Sequence, residues 1–165
     1  MTNIWIRPIN EAEYGILERL LYESLHIPPG HEPFPWDTIY LPEIYVYIKD
    51  FGKKDDICFV AETDGQIVGA AYSRILSESD IKGFGYIDDK TPELAISVLP
   101  GCRGKGIGRE LLDALNIELS KRGYTKISLS VQKTNPALRL YKRVGYKIIK
   151  EQETDYLMVN NLRSP

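Results

Sequence analysis

Residues Leu99-Pro100-Gly101-Cys102-Arg103-Gly104-Lys105-Gly106-Ile107-Gly108-Arg109-Glu110 hold the densest set of groups suited to binding an anion. Glycines let the chain turn tightly and let backbone N–H groups approach a ligand without side-chain obstruction. An amphipathic helix begins inside the segment, adding unpaired N–H donors and the positive end of its dipole. Arg103, Lys105 and Arg109 add charge, so the parts make a diphosphate cradle. Two phosphate-binding patterns fail on particular residues. The P-loop needs Gly, four residues, then Gly-Lys-Ser/Thr, and no such run occurs. The dinucleotide fingerprint needs a third glycine where Arg109 stands and an acidic end to the next strand, which ends Val131-Gln132-Lys133. Cys58 and Cys102, the only cysteines, make neither a disulfide framework nor a zinc site. His26 and His31 flank Pro28-Pro29-Gly30 with no other ligand at metal spacing and read as loop residues, so no metal is expected. Cys102 lies beside the glycine loop but lacks the partnered base that a nucleophile needs.

The elements that must position this loop follow from periodicity. Asn3 to Pro8 reads as a strand, and Asn10 with Glu13 forms a box-like helix start. Ile16, Leu17, Leu20, Leu21 and Leu25 mark one helical face, ended by Pro28-Pro29-Gly30. After the Pro- and aromatic-rich residues 31–36, Pro42 opens a second helix, with Ile44, Tyr47, Ile48 and Phe51 as its apolar side and Gly52 as its stop. Ile57 to Glu62 and Gln66 to Leu76 form a hairpin about Asp64-Gly65. Residues 77–90 form a polar connection to an apolar strand, Glu93 to Leu99. Leucines at 111, 115 and 119 continue the step from Ile107 and predict a helix over Gly106 to Lys121, capped by Gly123. Lys126 to Val131 is a strand, Asn135-Pro136 opens a helix that closes at Gly145, and Tyr146 to Lys150 and Thr154 to Val159 look antiparallel. With no repeat or linker to divide it, the order implies one α/β domain with a mixed sheet.

At 165 residues and 43% hydrophobic, the chain is long and apolar enough for a sizeable core, which excludes a mainly disordered protein. No apolar run approaches the roughly 20 residues of a membrane helix. Residues 1–8 lack the basic-then-apolar design of a signal peptide, so a reducing, cytoplasmic setting is expected. The net charge of −2 hides an asymmetry: residues 1–100 carry a net −9 and residues 101–150 a net +9. The basic stretch suits an anionic ligand, although two solvated faces would give the same count. An acidic chain without a nucleic-acid-binding motif disfavours nucleic acid as partner.

Arg103-Gly104-Lys105-Gly106-Ile107-Gly108 matches the (Arg/Gln)-x-x-Gly-x-(Gly/Ala) signature of the GNAT superfamily of N-acetyltransferases. Ser97-Val98-Leu99-Pro100 resembles the end of that family's fourth strand, and Asn135-Pro136-Ala137 through Gly145-Tyr146 resembles its later Asn…Tyr…Gly-aromatic block. The strong match covers about residues 93–149. It implies a single domain over residues 1–165, with 1–90 on the acceptor side and 91–165 on the cofactor side. The sheet should have six or seven mostly antiparallel strands, helices on both faces and a central parallel pair splayed around acetyl-coenzyme A. The pantetheine arm would pair with backbone groups of Ile96, Ser97 and Val98, and the diphosphate would fall on Arg103, Gly104, Lys105, Gly106, Ile107 and Gly108. Asn135 would lie close to the pantetheine, besides its local role as a helix cap. Lys142 and Arg143 read as a solvated helix face, with the 3′-phosphate as the other assignment.

Acetyl transfer to an amine needs a neutral nucleophile, a polarised carbonyl and a protonated leaving thiolate. Tyr141 matches the family tyrosine that protonates the sulfur, its alternative being a core position beside Leu140 and Val144. Glu93 is the candidate base, with Asp88, Asp89 or ordered water as alternatives. The aromatics Phe34, Trp36, Tyr40, Tyr45, Tyr47 and Phe51 could line the acceptor pocket or simply pack two helices on the sheet. The expectation is direct attack on acetyl-coenzyme A by a primary amine, from a small metabolite, a peptide or a lysine, cationic by preference. No membrane partner is expected, and a homodimer stays open. The other readings are a non-catalytic acyl-coenzyme A sensor, which has no need of Tyr141, and an enzyme with an O-nucleophile or a longer acyl group.

Overall fold

Asp64 and Gly65 both take positive φ, 50° and 75°, and join β2 (Ile57–Thr63) to β3 (Gln66–Arg74) by a two-residue turn. The computed structural model describes residues 3–77 and 81–163. The remaining strands are β1 (Trp5–Pro8), β4 (Glu93–Val98), β5 (Lys126–Gln132), β6 (Lys147–Glu151) and β7 (Asp155–Asn161). They form one seven-stranded sheet in the order β1-β2-β3-β4-β5-β7-β6. Every neighbouring pair is antiparallel except β4–β5, as the family resemblance implies. That parallel pair meets only at Glu93 and Ser128.

Strand alternation gives the sheet two apolar faces. Helix α3 (Ile107–Lys121) presents Leu111, Leu112, Leu115 and Leu119 to Ala61, Val68, Ala71, Ile127, Leu129 and Met158 on one face. Helix α4 (Ala137–Val144) joins it there through Leu138, Leu140 and Tyr141. Helix α1 (Ile16–Ser24) presents Leu17, Leu20 and Leu21, with Ile39, to Cys58, Val60, Ala70 and Tyr72 on the other. Truncating one of these leucines to alanine costs about 2–5 kcal/mol.

Boundaries differ from the periodicity where a distant residue intervenes. A short 3₁₀ turn, Glu11–Glu13, precedes α1, held by the Asn10 N–H donating to Glu13 Oε2 at 2.9 Å. The helix expected over 42–51 is regular only as α2 (Pro42–Tyr45) and continues as successive turns. The carbonyls of Val46 and Lys49 turn to Arg74 Nη1, at 3.0 and 2.8 Å, and Asp50 takes a φ of 52°. A further 3₁₀ turn, Trp36–Tyr40, occupies the aromatic segment. β3 ends at Arg74 rather than Leu76, and β7 runs on to Asn161. Residues 78–80 of the polar connection lie outside the described residues.

Candidate active site

The hydrogen-bond phase of β4 decides which groups are free. The Leu99 N–H bonds to the Val68 carbonyl at 2.8 Å, so odd-numbered residues of β4 turn their backbone to β3 and even-numbered ones turn to β5. The Ser128 N–H takes the Pro92 carbonyl at 3.0 Å, and beyond Ser128 the two strands part. Ile96 and Val98 therefore present backbone groups to an open gap. The Val98 carbonyl is taken by Arg103 Nε at 2.8 Å. Ser97, expected to offer its backbone here, instead pairs with Ala70 on β3; the strand's two-residue period forbids three consecutive residues from facing one side. Its Oγ is buried without a hydrogen-bond partner among the described residues.

The gap opens into a cleft of about 370 Å³. Leu94, Ala95 and Ile96 line it from β4, Ser130, Val131 and Gln132 from β5, and Tyr141 from α4. Asn135 lines it as well, while its Oδ1 accepts the Ala137 N–H at 2.9 Å. One residue thus caps α4 and borders the cleft.

At the end of β4 the chain enters the glycine loop. Gly101, Gly104 and Gly106 have φ of 87°, 76° and 81°. Gly106 immediately precedes α3, and only a residue without Cβ takes this left-handed conformation freely. The first i→i−4 bond of α3 runs from the Glu110 N–H to the Gly106 carbonyl, which leaves the N–H groups of Ile107, Gly108 and Arg109 at the helix mouth. The Ile107 side chain is buried in the core, so this position offers its backbone. Lys105 is exposed, and Arg109 lies 3.8 Å from Asp113. Besides Val98, Arg103 reaches the Glu23 carbonyl through Nη2 at 3.3 Å. Its side chain thus braces the loop against the end of α1, leaving the anion to the backbone donors.

Tyr141 is nearly buried, and its hydroxyl has no hydrogen-bond partner among the described residues. Burial pushes its pKa well up, so the phenol keeps its proton at neutral pH. Its ring lies 5.7 Å from that of Tyr146. Glu93 is only 2% exposed and does not line the cleft. Its Oε1 accepts the Gly85 N–H at 2.9 Å and the Tyr47 hydroxyl at 3.3 Å, and its Oε2 has no partner among the described residues. Burial raises its pKa, offset in part by the Gly85 and Tyr47 bonds. Gly85 packs so tightly that a Cβ would stand 2.9 Å from the Leu129 backbone, and its carbonyl accepts the Ser128 hydroxyl at 2.6 Å. Asp88 accepts the Lys90 N–H and the Thr91 hydroxyl, and Asp89 accepts the Tyr86 hydroxyl. Neither aspartate lines the cleft.

Of the six aromatics between residues 31 and 51, Tyr47 alone lines this cleft. Tyr40 and Tyr45 stack on each other and donate to Glu18, Trp36 packs on Tyr22, and Phe51 packs on Tyr14 and Tyr72. Phe84, Gln152, Thr154 and Asp155 also line it and were not singled out from sequence, because they come from loops and a strand start without periodic signal. His26 also lines the cleft, and its Nε2 lies 2.8 Å from Thr134 Oγ1. Together with Arg103 on Glu23, it fastens the end of α1 to both diverging arms. Lys142 and Arg143 are exposed on α4. No cluster of three or more His, Cys, Asp or Glu residues that could hold a metal occurs among the described residues, and none of their helices is long and apolar enough to cross a membrane.

A splayed parallel pair with free strand groups, a glycine loop and a helix start at its end defines a fold for holding an amide-bearing, diphosphate-bearing ligand. Residues 18–146 match the model of the acetyltransferase (GNAT) family, and the chain belongs to that family. It is 35% identical over 117 residues to an N-alpha-acetyltransferase of Sulfurisphaera tokodaii, covering 67% of this chain and 70% of that one. Its fold is like that of the PaiA N-acetyltransferase of Thermoplasma acidophilum solved in complex with coenzyme A (TM-score 0.70, 19% identity, 96% and 99% of the two chains). It is also like that of the ribosomal-protein-S18-alanine N-acetyltransferase of Escherichia coli (TM-score 0.68, 17% identity, 99% and 96%). The protein is an acyltransferase, and its coenzyme is acetyl-coenzyme A.

Proposed function

We propose that the cleft acetylates a primary amine by direct attack in a ternary complex. Acetyl-coenzyme A supplies the activated acetyl group and a thiolate leaving group. The residues fit it: the free backbone groups of Ile96 and the Val98 N–H suit the pantetheine amides, and the N–H groups from Gly104 to Arg109 suit the diphosphate. The Ile96 N–H, on a residue that lines the cleft, is the candidate to polarise the thioester carbonyl. Tyr141 holds a proton at its phenolic oxygen and is the donor for the departing sulfur. Glu93 is the proton acceptor for the incoming amine, which at a pKa of about 10.4 for an alkylamine arrives charged.

The observation that carries this reading is the unpartnered Tyr141 hydroxyl on a cleft bordered by free strand groups. A pure binding module has no use for a proton donor there. The test is an acceptor screen with acetyl-coenzyme A, following thiol release over polyamines, peptides with free N-termini and lysine-bearing peptides. At least one amine class should release thiol in proportion to acetylated product. Tight binding of acetyl-coenzyme A with no turnover of any amine would instead establish a sensor.

A further inference from the structure

Glu93 has no contact with the cleft, so a base at this position needs an intermediary. Tyr47 meets both requirements: it lines the cleft, and its hydroxyl donates to Glu93 Oε1 at 3.3 Å. The Tyr47 hydroxyl oxygen also accepts the Phe84 N–H at 2.9 Å, which fixes its position. A hydroxyl has one proton and two lone pairs. The proton is directed at Glu93 and one lone pair at Phe84, and the Gly85 N–H, which donates to Glu93, also stands near this oxygen; an acceptor N–H in the cleft would use the second lone pair.

We propose that Tyr47 relays the acceptor's proton to Glu93; the inference rests on the reading of Glu93 as the base. The amine N–H bond breaks as a proton bonds to Tyr47 Oη, while the Tyr47 O–H bond breaks and its proton bonds to Glu93 Oε1. The products are a neutral amine, an unchanged tyrosine and a neutral carboxylic acid. The two moves are concerted, so no charged tyrosine forms. Glu93 is suited to receive the proton, because its Oε2 is buried without a partner among the described residues and an unpaired oxygen costs less on a neutral acid than on a carboxylate. The charged groups around it leave its charge unopposed. Arg74, its cross-strand partner on β3, directs its guanidinium to Asp56, and Lys82 donates to the carbonyls of Leu76 and Ser77. Tyr86 is bonded to Asp89, and His26 stands at the cleft beside Thr134. Burial, opposed by the hydrogen bonds of Gly85, Tyr47 and Gly83, therefore sets the proton affinity of Glu93.

The experiment compares wild type with Tyr47→Phe, Glu93→Gln and the double variant, in two readouts. The first is a ¹³C NMR titration of the Glu93 carboxyl in wild type and Tyr47→Phe. Losing a donor to the charged form should move the Glu93 titration upward. The second is the pH profile of kcat/KM with spermidine and an alanine-initiated peptide. Each single variant should lose roughly 10²-fold or more and the low-pH limb, with KM for acetyl-coenzyme A unchanged. The double variant should be no worse than either single one, as for residues acting in one chain. If Glu93→Gln is crippled while Tyr47→Phe keeps its rate and limb, the relay is overturned and Glu93 remains the base. If both variants keep rate and limb, the base assignment falls and the relay with it. A Glu93 resonance that titrates identically with and without the Tyr47 hydroxyl overturns the relay whatever the kinetics.

Discussion

Burial pushes the pKa of Tyr141 and of Glu93 upward alike, with different consequences for each. For the phenol it secures the protonated form, which is the form a thiolate needs. We predict that Tyr141→Phe lowers kcat by roughly 10²- to 10⁴-fold, while calorimetry finds acetyl-coenzyme A affinity unchanged. An unaltered kcat would return Tyr141 to a packing role beside Tyr146. For Glu93 the raised pKa means that ionisation opposes folding. A carboxyl of this kind stabilises the fold while protonated, and that stability is lost as the pH rises through its folded value. Glutamine imitates the protonated form and keeps an oxygen for Gly85 and Tyr47. Glu93→Gln should therefore resist urea at pH 7 at least as well as wild type, with the difference shrinking below the ordinary glutamate value of about 4.5. A lower urea midpoint at pH 7 would show that the charged form is the stabilising one.

At the scale of elements, two arginines tie secondary structure to the sheet. Arg74 donates from Nε and Nη2 to both oxygens of Asp56, at 3.1 and 2.8 Å, and both side chains are 3% exposed. Asp56→Ala would leave a buried guanidinium short of its partner, and we predict a loss of about 3–5 kcal/mol in chemical denaturation. A loss under 1 kcal/mol would mean that the Val46 and Lys49 carbonyls suffice. Arg7 on β1 forks onto Glu13 and also reaches Glu62, at 2.7 Å in each case. The Arg7 bond holds the Glu13 carboxyl down at about 2, aided by the Asn10 N–H. A depressed carboxyl stabilises the fold above its unfolded value and loses that contribution as the pH falls through its folded one. Glu13→Gln should thus destabilise at pH 7 and approach wild type as the pH falls from about 4.5 to about 2; a constant difference across that range would refute the assignment. The same arginines mark the limit of legibility. Ile107, Leu111, Leu115 and Leu119 announced α3 because their spacing is local. The turns after α2 were hidden because the group that reshapes them, Arg74, lies on a strand more than twenty residues away. The glycine loop was legible for the same local reason as α3. The contacts of His26 with Thr134 and of Tyr47 with Glu93 were not, since each exists only once the sheet has brought its partners together.

Over the whole molecule the charge asymmetry acquires a direction. The basic residues 101–150, at net +9, supply the glycine loop, α3 and α4, where a polyanionic coenzyme belongs. The first 100 residues, at net −9, supply α1 and β1 to β4. Between them, the described residues lining the cleft include Asp155 and no Lys or Arg. Cations that could have reversed this local sign are committed elsewhere, Arg74 to Asp56, Lys82 to the carbonyls of Leu76 and Ser77, and Lys133 to Glu151. Asp155 is itself held by the Ser130 hydroxyl at 2.8 Å, so its carboxylate is fixed at the β5 wall rather than free to leave it. A cationic acceptor should therefore be drawn toward the cleft, with the attraction screened over a Debye length of roughly 8–10 Å at 0.1–0.15 M salt. We predict that kcat/KM favours polyamine-like or lysine-bearing amines over acidic amines of matched size, and that the preference narrows as salt rises. Asp155→Asn should reduce the preference while leaving acetyl-coenzyme A binding unchanged. Measuring matched cationic and anionic amines at low and high salt checks the idea. A preference for the anionic amine that persists at both would refute it, and would mean that the summed acidity of the first arm faces away from the reacting amine.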